Sequence, residues 1–187
     1  MAWELTSFDD LKAFLGLTDA AITDYPALGI IKPSVEYAIE SYLGRELQKI
    51  ERTETFYVSG PTKMLSLKAL PIDSISSLSI TMLDESETLE SGDYVITKYG
   101  LKLLFDLEDA KVVITYTGGI GTDYANVPGD IIRAATLQTS FEFQTKSQVG
   151  AETVSTEGGT VSRPELGLLK EVKRMLWSYL HPLKIKG

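Results

Sequence analysis

The sequence contains no cysteine and only one histidine, His181. The first absence removes disulfides, thiolate nucleophiles, thiolate zinc sites and iron–sulfur clusters together. The second makes any Ser-His-Asp relay depend on one residue and rules out a His-rich metal site. No Asp-x-Asp-x-Asp-Gly loop is present to hold calcium. Apolar runs are short as well: none approaches the ~20 residues that cross a bilayer, so no membrane partner is expected. The opening residues Met1 to Thr6 lack the basic and apolar regions of a secretory leader. These absences point to a soluble, cytoplasmically made protein with no catalytic residues, no cofactor and no metal.

What is present suits one ordinary domain. The chain has 187 residues, 43% of them hydrophobic and 24% charged, close to the globular average. The formal net charge is −8, which argues against tight binding of DNA phosphates. The charge is uneven. From Arg163 to Gly187 six Lys/Arg stand against two Glu, a local balance of +4 that leaves −12 for the rest. A basic tail on an acidic body is either a solvated helix face or a surface with a partner.

Ser7, followed by Asp9 and Asp10 and closed by Gly16, predicts a short capped helix with Phe8, Leu11, Phe14 and Leu15 on one face. A second helical pattern, capped by Thr23 or Asp24 and with Pro26 in its first turn, reaches toward Ile50. Pro33 inside it predicts a kink or split near Ile31, with a longer second half from Ser34 to Leu47. From Thr55 to Tyr116 the character is β: Thr55-Phe56-Tyr57-Val58, then Ile75, Leu78, Ile80 and Met82, then Tyr94 to Thr97, Leu101 to Phe105 and Val112 to Tyr116. Short strands at this spacing predict an antiparallel sheet or small sandwich. Helix returns after Val127-Pro128-Gly129-Asp130. Residues 147–162 show no period and read as a long flexible loop. A last helix is expected from Pro164-Glu165 to Leu180. The fold class is therefore α+β: residues 1–52 and 127–187 form a helical body, and 53–126 an inserted β region, within one compact domain.

Few residues offer chemistry. Gly118-Gly119-Ile120-Gly121 follows a strand but lacks Walker or Rossmann spacing, and reads as a turn rather than a phosphate loop. Asp84, Glu85, Glu87, Glu90 and Asp93 form an acidic, turn-like stretch. A glycosidase pair needs an apolar pocket that this stretch does not suggest, so solvated charges are the simpler reading. His181 beside Pro182 suggests a helix C-terminal cap. Tyr94, Tyr99 and Tyr116 are the candidates for a glycan- or peptide-binding platform, against a simpler role as strand core. Lys170, Lys173, Arg174, Trp177, Tyr179, Leu180, Lys184 and Lys186 make one end both aromatic and basic, the composition of a docking surface, although part of the set must be core.

Several stretches, taken in order, resemble the head–tail connector (adaptor) proteins of tailed bacteriophages, in the variant with a β insertion. They are Ala38 to Arg45, Leu67 to Ile72 with Ile75, Val113-Ile114-Thr115-Tyr116-Thr117-Gly118-Gly119, and Val127 to Ala135; the likeness covers roughly residues 5–182. The resemblance implies a non-enzymatic structural subunit of the virion neck, assembled in the host cytoplasm. Its implied form is a homo-oligomeric ring, usually of twelve, beneath the portal, docking a stopper or tail-completion protein. DNA would pass through without sequence-specific binding, and the acidic loop would face the channel. Portal docking would fall to the C-terminal set. Two alternatives remain: a stopper or tail-completion protein of the same neck, and a phage-borne glycan hydrolase.

Overall fold

The computed structural model describes residues 3–17, 25–83, 85–146, 153–156, 159–162 and 167–181. The chain packs as two compact units. Residues up to Leu43 combine with Val127–Leu180 in one, and Gly44–Asn126 combine with His181 in the other.

The first unit is helical. Helix α1, Phe8–Leu15, is capped as its sequence predicts. The Ser7 hydroxyl accepts the Asp10 amide at 3.0 Å while the Asp10 carboxylate accepts the Ser7 amide at 3.4 Å. Gly16 closes it in a left-handed conformation, φ 69°. Helix α2, Pro26–Leu43, corrects the expected split, because it runs unbroken through Pro33. The bond that Pro33 cannot donate is to the carbonyl of Gly29, and both residues lie on the exposed face, where that carbonyl is open to solvent rather than buried. The helix ends at Gly44, φ 69°, short of the expected Leu47. Helix α3, Gly129–Thr145, begins after Pro128 as anticipated and is the centre of the unit, with α1 and α2 packed on it. Helix α4, Lys170–Leu176, also packs on α3 and runs on into a 3-10 turn at Trp177–Tyr179.

Polar bonds fix this packing. The N-terminal segment is strapped down by Leu5, whose amide donates to Glu36 Oε1 at 2.8 Å, and by Lys32, which bridges Glu4 at 2.5 Å and Glu36 at 3.2 Å. Thr136, buried on α3, donates to its own helix at Ile132 O and accepts from Thr6, Oγ1 to Oγ1 2.6 Å. Gln138, also fully buried, organises the entry to α4. Its Oε1 accepts the Leu169 amide at 2.9 Å, and its Nε2 donates to Gly167 O at 3.2 Å. Within 147–162, expected as one structureless loop, Thr153–Thr156 and Gly159–Ser162 pair as an antiparallel hairpin.

The second unit is built from two antiparallel sheets. Strands β1 (Ile50–Val58), β7 (Ala110–Gly118), β3 (Ile72–Met82) and β4 (Glu85–Thr88) form one in that order; β2 (Thr62–Leu65), β6 (Gly100–Leu107) and β5 (Tyr94–Thr97) form the other. The hairpin noted above is β8–β9 in chain order. Val112, Ile114 and Tyr116 of β7, Leu78 and Ile80 of β3, and Leu101, Leu103 and Leu107 of β6 meet in one core. The alternation that the sequence showed is the alternation between this core and solvent. The outer face of the four-stranded sheet is rich in hydroxyls, with Thr53 and Thr115 bonded across strands at 2.9 Å.

Tyr116 is buried, and its phenol joins two distant segments. It donates to Glu54 and accepts the Ala69 amide at 3.0 Å, while Glu54 also accepts the Lys68 amide at 3.0 Å. The loop before β3 is thereby pinned to β1 and β7. Past Tyr116, the Gly119 amide donates to Pro71 O at 3.0 Å and the Ile120 amide to Leu47 O at 2.7 Å. Lys49 returns a bond to Gly121 O, also at 2.7 Å. Gly119 has φ 126°, and a Cβ there would stand 2.5 Å from Gln48 O.

Burial, and after it the bond to Glu54, pushes the Tyr116 phenol well above the usual tyrosine range. The folded state therefore holds this proton more tightly than the unfolded chain. Its contribution to stability is complete below pH ~10 and declines above it, by up to ~1.4 kcal/mol per pH unit. Tyr116→Phe should lower stability by about 1–3 kcal/mol at neutral pH and flatten that alkaline slope, as read by urea denaturation across a pH series. Gly119→Ala should cost about 2–4 kcal/mol by the same assay at pH 7.

Candidate functional site and interaction surfaces

The basic, aromatic end is partly a surface and partly core. Lys170, Arg174 and Trp177 recur at i, i+4 and i+7 and are all exposed, with Trp177 60% accessible. Arg174 makes only a loose 3.9 Å ion pair with Glu171. Lys173 and Tyr179 are half-buried, and the Lys173 carbonyl accepts the Tyr42 hydroxyl at 3.4 Å. Leu180 leaves the docking set as a correction: at 8% accessible it is a core residue of the helical unit. Lys184 and Lys186 lie outside the described residues.

His181 does more than end a helix: it is buried, and its Nε2 donates to Leu67 O at 3.2 Å, with Ser66 Oγ 3.3 Å away. The carbonyl can only accept, which fixes the proton on Nε2.

The acidic stretch resolves into two elements rather than one loop. Glu85 and Glu87 stand on β4, opposite Met82 and Ile80, and both are exposed at the sheet edge. Charges on such an edge also discourage pairing with a stray strand. Glu90 and Asp93 close a turn: the Asp93 carboxylate accepts the Glu90 amide at 2.8 Å, and the Asp93 amide donates to Glu90 O at 3.0 Å. Asp84 lies outside the described residues.

The remaining candidates have structural roles. The amides of Gly119, Ile120 and Gly121 all donate to backbone carbonyls, so the glycine-rich segment is a turn with nothing left to cradle a phosphate. The three tyrosines do not share a platform. Tyr116 is in the core, Tyr94 packs against it, and Tyr99 is exposed at the β5–β6 turn beneath Lys98 Nζ, 4.7 Å from its ring. Among the described residues no group of three or more His, Asp or Glu comes together to hold a metal.

Several apolar exposures escaped the sequence reading, among them Tyr57 at 80% accessible and the following two. Leu83 at the β3–β4 turn is 99% accessible with φ 47°. On α2, Ile30 is 74% and Tyr37 75% accessible. The signal for the second was available. The three charges of α2, Lys32, Glu36 and Glu40, fall at i, i+4 and i+8 on one stripe, which leaves the opposite side without any.

No protein-family model and no curated protein sequence matches the chain. Solved structures do. A chain in the neck of an empty gene transfer agent (GTA) particle, computed with C6 symmetry, aligns with TM-score 0.62 at 15% identity, covering 92% of this chain and 87% of the other. A chain in the virion of the native particle gives 0.57 at 15% identity, covering 92% and 93%. A chain in the neck of the native particle, computed with C12 symmetry, gives 0.51 at 16% identity, covering 94% of both. The protein thus shares, over more than nine-tenths of its length, the fold of chains in these particles.

The division between surface and core at the C-terminal end is directly testable. Trp177→Ala should leave stability within about 0.5 kcal/mol of the parent, whereas Leu180→Ala should cost about 2–4 kcal/mol in chemical denaturation.

Proposed function

We propose that this protein is a head–tail adaptor of a tailed-phage-like particle: a non-enzymatic subunit of a ring, twelve-fold in the simplest reading, seated beneath the portal. The observation that carries this reading is the fold likeness to neck chains solved under six-fold and twelve-fold symmetry, extending over 92% to 94% of the chain. The order of elements agrees with the adaptor class, since helices open and close the chain and the sheets lie between them. A stopper built mainly of strands would fit that order less well.

Three physical features support the role. A net charge of −8, with Glu85, Glu87 and Glu90 exposed, lets a channel repel phosphate so that DNA slides without sticking. The exposed Lys170, Arg174 and Trp177 supply cations and an aromatic anchor for the portal or for the stopper beyond it. A closed ring requires two different faces on each subunit, which this α+β chain can present. The protein would be assembled in the host bacterial cytoplasm and retained in the virion.

Native mass spectrometry of the chain alone and with its cognate portal ring tests the proposal. A closed ring, or a fixed stoichiometry near twelve per portal, is expected. A monomer indifferent to the portal would overturn it.

A further inference from the structure

The exposed face of α2 is unusual for so charged a chain. Its residues are Gly29, Ile30, Pro33, Ser34, Tyr37 and Ser41, and none is charged. About a quarter of all residues in the protein carry charge. The few ions of the helix are held elsewhere. Lys32 and Glu36 are drawn sideways into the strap over the N-terminal segment, with Lys32 bridging Glu4 and Glu36 accepting the Leu5 amide. Ile30 and Tyr37, each about three-quarters accessible, are two turns apart on that bare face, roughly 10 Å along the axis. A lone exposed apolar side chain needs no explanation, whereas two large ones on a face cleared of charge mark a contact.

The same unit carries a groove as well as this projecting face. An open groove of about 400 Å3 runs between α1 and α3, lined by Asp10, Ala13, Phe14, Ile132, Arg133 and Thr136. Phe14 is exposed at its wall and supplies an aromatic face for an incoming aliphatic side chain. Arg133, exposed on α3, gives it a donor suited to the hydroxyl of an incoming tyrosine. A projecting apolar helix face and a receiving groove on one subunit are the two unlike surfaces that a head-to-tail rotational contact requires.

We infer that the α2 face of one copy, through Ile30 and Tyr37, seats in the α1–α3 groove of the next copy, and that this contact propagates the ring. The inference rests on the adaptor reading and names its subunit interface.

The absence of cysteine makes the test clean. Ser34→Cys lies between Ile30 and Tyr37 without removing either, and Ala13→Cys lies in the groove. The double variant, assembled with portal and oxidised, should give a ladder of covalent species beyond the dimer on a denaturing gel, and neither single variant should. Independently, the pair Ile30→Asp and Tyr37→Asp should raise the concentration needed for assembly at least ten-fold, with circular dichroism and melting temperature unchanged. Rings of the parent chain with no cross-linking in the double variant, and with normal assembly of the aspartate pair, would overturn this interface and leave the adaptor reading standing. Covalent dimers from Ser34→Cys alone would show the face pairing with itself, which also overturns it. A parent chain that forms no ring with or without portal would remove both readings.

Discussion

The β unit is an insertion in a helical chain, so the segment that opens it and the segment that closes it must be held side by side. Backbone bonds between Leu47–Lys49 and Gly119–Gly121 meet that requirement, with Pro71 taking the Gly119 amide. The arrangement depends on Gly119, because no side chain tolerates both its dihedral and the approach of Gln48 O. Closing the 83-residue insertion Gly44–Asn126 costs chain entropy that rises only slowly with length, so a few well-placed bonds at its base are enough to define one unit. Tyr116 and Glu54 extend the tie by pinning residues 68–69, so that β1, β7 and the approach to β3 are held together beside the hydrophobic core.

The helical unit solves a different problem with the same means. Helix α3 is surrounded by α1, α2 and α4 and has no full polar face to offer water. Its buried Thr136 and Gln138 are used to fix neighbours: Thr136 holds Thr6, and Gln138 holds the turn Gly167–Leu169. Buried polar groups with satisfied partners specify one packing where apolar residues would permit several. The surfaces left over are then distinct in character: a charge-free helix face, a groove with mixed charge at its wall, a basic aromatic stripe and an acidic sheet edge. That variety is what a subunit with several unlike neighbours needs.

Local signals were legible in the sequence and long-range ones were not. Ser7, Asp10 and Gly16 mark α1 because a cap is a matter of a few adjacent residues. The strands from Thr55 to Tyr116 are visible in alternation, yet their division into two sheets rests on which strands meet, and alternation is silent on that. Pro33 misled because its cost depends on whether Gly29 O reaches water, which only the packed helix decides. Leu180 read as part of a docking end and His181 as a helix cap because burial is not written in the local pattern; the histidine's partner, Leu67, is remote in sequence. Gln138 carried no signal, since glutamine in a helix is ordinarily a solvated residue. The bare face of α2 did carry one, in the single stripe formed by Lys32, Glu36 and Glu40.

A chain with several unlike surfaces and with the fold of neck chains of gene transfer agent particles is best understood through its neighbours. The most direct measurement is a cryo-electron microscopy reconstruction, without imposed symmetry, of the neck of the phage-like particles made by the source of this protein. The account predicts this chain as a closed ring between portal and tail, encircling the DNA channel. Finding it in the tail tube or the capsid shell, or absent from the particle, would contradict it.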